Sequence, residues 1–338
     1  MISLFAGEER SAKRDRIGDP LQVLDRHIDF AAIAGAIDAK LTLGDRGKGG
    51  RPPYPTETMV RLLVLQQLYN LSDDALEYQV LDRVSFARFA RLSNSPRVPD
   101  AKTVWVWRER LKKLDLIGDI SAAVSVQLQR AGFIARGGQI IDASIVSAPI
   151  QRNTREENAA IAQGEVPEDW SPAKRAQKDV EARWTRKNGR NFYGYKLHAN
   201  VDRRWGFIRR MEVTAASVTD TTMLEAVLDE NTRRDVYADR GYTKRARELA
   251  LKEQGYRVQI QRKGERYKAL SATQQRRNRR IAKQRVFVEH AFARLAQLGG
   301  KFIRSIGLAR AKVQLGLKVA THNLQRLARL LERGVAPA

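Results

Sequence analysis

Three acidic residues sit in surroundings that carboxylates rarely tolerate. Asp142 lies within Gly137-Gly138-Gln139-Ile140-Ile141-Asp142-Ala143-Ser144-Ile145-Val146, an apolar run opened by two glycines and closed by Pro149. Asp239 ends a second short run, Val236-Tyr237-Ala238-Asp239, which Arg240-Gly241 stops. Glu289 belongs to Arg285-Val286-Phe287-Val288-Glu289-His290-Ala291-Phe292, next to a helical apolar stripe of Val288, Phe292 and Leu295. Short apolar runs bounded by breakers read as buried strands. A carboxylate there is costly to desolvate unless a cation meets it, and the Asp142 run contains no Lys or Arg. A distant residue or a metal must compensate. Three carboxylates from two strands and a helix can share one site, where they would raise one another's pKa values. Two Mg²⁺ ions about 3.5–4 Å apart relieve that repulsion, and oxygen-only ligation suits Mg²⁺. Such a pair activates water or a 3′-hydroxyl and stabilises the leaving oxygen of a phosphodiester. Plainer roles fit the same residues: Asp142 as a strand-end cap on a turn, Glu289 as the i,i+4 surface partner of Arg285.

The elements that would position these side chains read as mixed α/β. Strands are predicted at Phe192 to Val201 and Phe207 to Val213, separated by a turn at Asp202-Arg203-Arg204. Thr219-Asp220 caps a predicted helix carrying Met223, Leu224, Val227 and Leu228. A helix from Lys244 to Glu253, a strand from Tyr256 to Gln261 and a helix from about Arg279 to Leu298 follow. The order from Gln139 to Leu298 is then β-β-β-α-β-α-β-α, with the first three strands as a meander. Between the first two strands, Ser147 to Arg190 is long and polar, yet Trp170 and Trp184 mark it as an ordered excursion.

Upstream the chain reads as all-helical. A helix runs from about Pro20 to Lys40, capped by Asp19, with Leu21, Leu24, Ile28 and Ala31 on one face. A basic connector, Gly44 to Pro53, leads to a helix at Thr56 to Tyr69; Ser72-Asp73-Asp74 and Pro99-Asp100 start others. Phe86, Phe89, Trp105 and Trp107 read as core, and the short turns suggest a small bundle. The final helix holds Leu317, Ala320, Leu324, Leu327 and Leu331 at 3–4 spacing, so it packs on something. The expected units are 1–43 (helical), 44–55 (connector), 56–135 (helical, for DNA binding or dimerisation), 136–300 (catalytic, with an insertion at 147–190) and 301–338 (C-terminal helix).

The chain has 62 Lys and Arg against 38 Asp and Glu, a net charge of +24 over 338 residues, which attracts polyanions. No run of about 18 apolar residues offers a membrane span, and the opening residues do not read as a signal peptide. With no cysteine and four histidines, thiolate and His-rich zinc sites are disfavoured. Nucleic acid is the partner that composition favours. The basic run Arg262 to Arg285 and the arm Gly47 to Arg51 are the candidate phosphate contacts, with Lys48, Arg51, Arg262, Lys263, Arg276, Arg277, Arg280 and Lys283 named within them.

In sequence, the chain resembles an IS5-family DDE transposase of bacterial insertion sequences over nearly its whole length. Gly49-Gly50-Arg51-Pro52-Pro53-Tyr54, Tyr69-Asn70-Leu71-Ser72-Asp73, Asp82-Arg83-Val84-Ser85-Phe86 and Pro99-Asp100-Ala101-Lys102-Thr103-Val104-Trp105 resemble the family's N-terminal domain. Ile141-Asp142-Ala143-Ser144, Gln177-Lys178-Asp179, Tyr193-Gly194-Tyr195-Lys196, Tyr237-Ala238-Asp239-Arg240-Gly241-Tyr242 and Arg285-x-x-x-Glu289 resemble its catalytic domain. The resemblance implies an RNase H-like mixed sheet with flanking helices behind a small all-α N-terminal domain. It implies Asp142, Asp239 and Glu289 as the ligands of two Mg²⁺ ions, with Mn²⁺ able to substitute. Arg285 becomes a phosphate- or carboxylate-orienting partner, and Lys196 and Arg240 join the DNA contacts. The implied partners are double-stranded DNA, as terminal inverted repeats and as target, and a second copy in a homodimer, with no membrane. The implied location is the bacterial cytoplasm, at the nucleoid. The related IS4-type signature has Tyr three before the Arg and Lys seven after the Glu, where this chain has Ala282 and Ala296. Lys283 and Arg294 are the basic residues nearby. A decayed transposase serving as a catalytically inactive DNA-binding regulator, and a resolvase-like RNase H nuclease, are the alternatives; the N-terminal resemblance disfavours the second.

Overall fold

The computed structural model describes residues 4–41, 52–229, 234–264 and 269–337. They divide into two units, one of residues 1–132 with 320–338 and one of residues 133–319. Lys48 and Arg51 of the expected basic arm lie outside the described residues.

In the first unit Asp19 caps the helix that begins at Pro20, as its carboxylate accepts from Leu21 N–H at 2.9 Å, with Pro20 in the first turn. Here α1 is Ala6–Ile17 and α2 Pro20–His27. The single helix expected to Lys40 is broken: Ile28 is extended, and Asp29 accepts from Ala32 N–H at 2.8 Å to start α3, Phe30–Asp38. A short acid that captures a backbone N–H competes with helix continuation. Five more helices follow: α4 (Thr56–Tyr69), α5 (Asp73–Asp82), α6 (Val84–Phe89), α7 (Ala101–Lys113) and α8 (Ile117–Arg130). Every residue of α4 from Thr58 to Gln67 is buried. Arg61, 3% exposed, is tolerated there because Asp25 and Glu57 each meet it at 2.7 Å while Phe30 and Phe89 flank its guanidinium. Phe86, Phe89 and Trp107 are core; Trp105 is exposed.

The second unit is built on a six-stranded mixed sheet. Its elements are β1 (Gln139–Ser147), α9 (Arg155–Ala162), α10 (Pro172–Gln177), β2 (Arg183–Lys187), β3 (Arg190–Asp202), β4 (Ile208–Ala215), β5 (Asp235–Ala238), α11 (Arg245–Glu253), β6 (Arg257–Ile260) and α12 (Ala272–Gln297). A last helix, α13 (Leu308–Glu332), begins in this unit and ends in the first. β3 lies antiparallel to β1, β2 and β4, whereas β5 runs parallel to both β1 and β6. The path β4-β3-β1-β5-β6 is the RNase H-like order, and β2 is an addition to it within the excursion. β1 is covered on both faces. Ile140 and Val146 pack with Val288 and Leu295 of α12 and Leu315 of α13, and Ile141 packs with Val236, Ile260 and Leu251. The helix expected after Thr219 is instead two 3₁₀ turns, Asp220–Met223 and Glu225–Val227. Thr221 and Thr222, β-branched neighbours, send their hydroxyls to the carbonyls of Gly241 and Thr219. Among the described residues no helix is long and apolar enough to cross a membrane.

Candidate active site

The parallel pairing of β1 with β5 sets Gln139 beside Val236 and Ile140 beside Tyr237. Carried two positions on, that register brings Asp142 level with Asp239, on strands about 5 Å apart. Asp239 stands just past β5, where its carboxylate accepts from Gly241 N–H at 2.8 Å and caps the turn Arg240–Tyr242. Asp142 is half-buried, accepts from its neighbour Ala143 N–H at 2.8 Å, and meets Arg285 Nη2 at 2.8 Å. Burial raises the Asp142 pKa, and the charge of Asp239 adds to the rise; Arg285 opposes both. The distant cation that the sequence required is thus Arg285, reaching across from α12.

The helix periodicity of α12 explains this. Arg277, Ile281, Arg285, Val288, Phe292 and Leu295 recur at 3–4 spacing along its inward side, so the long cations in that stripe point to the sheet. Glu289 lies beside the stripe and is exposed. In place of the plainer i,i+4 pairing with Glu289, Arg285 makes an ion pair with Asp142. Among the described residues no three acidic, histidine or cysteine side chains gather closely enough to hold a metal ion. The structure brings Asp142, Asp239 and Arg285 together, and the Glu289 side chain is exposed on α12.

Tyr242 completes the setting. It is buried, its hydroxyl has no hydrogen-bond partner among the described residues, and burial with the charges of Asp142, Asp220 and Asp239 pushes its ionisation far up. The phenol is held as a neutral donor near the aspartates. It lies in the quoted Tyr237–Tyr242 motif, but nothing in the sequence separated it from an ordinary core tyrosine.

The candidate phosphate contacts divide into two groups. Arg240, Lys263, Arg276, Arg280 and Lys283 are exposed, and Arg276, Arg280 and Lys283 share one outward stripe of α12. The others have internal partners: Lys196 pairs with Asp220 at 2.9 Å and donates to the Val218 carbonyl at 2.8 Å, and Arg262 pairs bidentately with Glu248 at 2.7 Å. Arg277 donates to the Ile260 carbonyl at 2.7 Å, and burial followed by the Arg262 charge lowers its pKa. Arg294 donates to Gln297 at 2.7 Å. Sequence reasoning missed Ser144, which shares the Asp142 face of β1, Lys301, which donates to Ser144, and Lys187, whose charge acts on Asp142. The signal for Lys187 was present: Asn188-Gly189 between β-formers marks a hairpin.

A family model described as "Transposase DDE domain" matches residues 136–324, and one described as "Transposase domain (DUF772)" matches residues 8–110. The chain belongs to the DDE transposase family. A solved structure, a piggyBac transposase synaptic complex with hairpin DNA studied by cryo-EM, is similar at 13% identity and a TM-score of 0.45, covering 94% of this chain and 76% of that one.

Proposed function

We propose that this chain is the transposase of an IS5-type insertion sequence. It binds the element's terminal inverted repeats as a homodimer, hydrolyses phosphodiester bonds at the ends and joins the freed 3′-hydroxyls to target DNA. The observation that supports this most is the juxtaposition of Asp142 and Asp239 at one level of neighbouring strands, in a chain of a transposase family.

The donor set suits a hard divalent ion. Asp142 and Asp239 offer oxygen alone, and their mutual repulsion favours a cation between them. Both would hold Mg²⁺ or Mn²⁺, with Glu289 as the proposed third ligand from α12. When bound, the ion activates water or a 3′-hydroxyl and neutralises charge at the phosphodiester. The protein's own part is to hold the carboxylates. Arg285 orients Asp142 and Gly241 N–H orients Asp239, while burial beside these charges keeps the Tyr242 phenol neutral. Arg240, Lys263, Arg276, Arg280 and Lys283 supply exposed positive charge for DNA phosphates; Lys48 and Arg51, outside the described residues, are further phosphate contacts proposed from the sequence.

The exposed Glu289 favours one other reading, a DNA-binding regulator without cleavage. Purified protein mixed with linear DNA carrying the element end, in Mg²⁺ or in EDTA, separates the two. A Mg²⁺-dependent nick at the element boundary supports the transposase. Binding with no cut under any divalent ion supports the regulator.

A further inference from the structure

Positive charge without acidic partners collects beside Asp142. Lys301 follows α12 and is fixed by a backbone bridge to the end of β1, in which Ser147 N–H donates to the Lys301 carbonyl at 2.9 Å and Ile303 N–H to the Ser147 carbonyl at 2.8 Å. From that anchor its ammonium donates to Ser144 Oγ at 2.5 Å. Ser144 is two residues along β1 from Asp142 and shares its face of the sheet, because strand side chains alternate.

A second cation comes from the β2–β3 hairpin. Asn188 and Gly189 form its turn with φ of 50° and 78°, the type I′ pattern. Lys187 and Arg190 then stand directly opposite one another, and like charges in that position repel. Arg186, Lys187 and Arg190 are all exposed. Among the described residues none of these three, nor Lys301, forms an ion pair with a carboxylate. Lys187 is close enough for its charge to act on both Asp142 and Lys301. Asp142 itself is engaged by Arg285. The hairpin backbone thus holds Lys187 and Arg190 side by side, with no carboxylate paired to either among the described residues.

We propose that Lys301, Ser144 and Lys187 form a phosphate-binding subsite beside Asp142, with Arg190 at its rim, that grips a DNA backbone phosphate next to the one being cut. This rests on the proposed function. The excursion between β1 and β3 thereby gains a purpose: it carries a basic hairpin to the carboxylates.

The test uses the full chain and its Lys187→Ala, Lys301→Ala, double-alanine and Lys301→Arg variants. Anisotropy of a labelled duplex of arbitrary sequence is followed across a salt series, with Mg²⁺-dependent nicking of element-end DNA measured in parallel. Each lost phosphate contact makes the log–log salt slope shallower by about 0.9, so the double variant should lose about 1.8 while Lys301→Arg stays near wild type. Lys187 is exposed at a hairpin tip, so its variant stays informative even if Lys301→Ala fails to fold. Unchanged slopes in the variants, alongside a wild type that still cuts, overturn the subsite alone. A reduced slope in a protein that binds but never cuts overturns the transposase reading and leaves the subsite standing. No duplex binding by wild type at low salt overturns both.

Discussion

Asp179 offers the most demanding test of how the catalytic unit is held together. Its side chain is 2% exposed and accepts from the Tyr195 hydroxyl at 2.7 and 2.8 Å, Glu181 N–H at 3.1 Å, Ala182 N–H at 3.0 Å and Gly307 N–H at 3.1 Å. One carboxylate therefore ties the excursion to β3 and to the segment before α13. Burial and this charge push the Tyr195 hydroxyl far up and, through the same causes, the Tyr193 hydroxyl to about 12. Asp179→Ala orphans four donors. Tyr195 and Ala182 are wholly enclosed, at 0% and 1% exposure, whereas the Glu181 and Gly307 amides lie nearer solvent. At about 1–3 kcal/mol per buried orphan, plus the packing lost with the carboxyl, the cost should be about 3–5 kcal/mol. Tyr195→Phe removes one donor and leaves the carboxylate three amides, so it should cost about 1 kcal/mol. In the Asp179→Ala background, Tyr195→Phe removes an orphan and should cost nothing or stabilise. Urea unfolding with hydrogen exchange resolved over β3 measures all four corners of the cycle. An Asp179→Ala variant within about 1 kcal/mol of wild type, or a Tyr195→Phe cost equal in both backgrounds, would refute the reasoning.

Arg285→Ala removes the main influence holding the Asp142 pKa down. The Asp142 carboxyl midpoint, followed by ¹³C NMR, should rise; an unmoved midpoint contradicts the ion pair. His198 is buried, and burial followed by the Lys196 charge depresses its pKa from 6.5 to about 4. The fold keeps it neutral while the unfolded chain takes up a proton, so stability should fall as pH drops from 6.5 towards 4. His198→Gln should flatten that slope in urea unfolding, and an unchanged slope assigns it elsewhere. Gly194 has φ 147°, and an added Cβ would lie 2.7 Å from Ala148 N and still nearer the Val146 carbonyl. Gly194→Ala should cost about 1–3 kcal/mol in thermal unfolding; a neutral result would mean that the β1–β3 crossing has room to shift.

Much of the framework was legible where local signals agree with burial. Lone acids among β-formers located the strands of Asp142 and Asp239, and the 3–4 spacing of Val288, Phe292 and Leu295 located α12. Contacts set by distant parts of the chain were not legible. Arg285 reaches an acid 143 positions away, and Lys301 a serine 157 positions away. Nothing local told whether Arg285 would turn to Glu289 or to the sheet; the phase of α12 against β1 decided it. Asp179 lies in a polar stretch without periodicity, and its burial follows from the tyrosines that fold over it. The break at Ile28 was hidden because the apolar spacing continues across it, while Asp29 offers a cap that ends one helix and starts the next.

The central claim is that Asp142 and Asp239 together form the cutting centre. Its most direct test compares strand cleavage and DNA binding by wild type, Asp142→Asn and Asp239→Asn on the same element-end duplex in Mg²⁺. Cleavage should vanish in both variants while binding affinity stays at the wild-type level or above, since each change removes negative charge. Cleavage retained by either variant would contradict the claim.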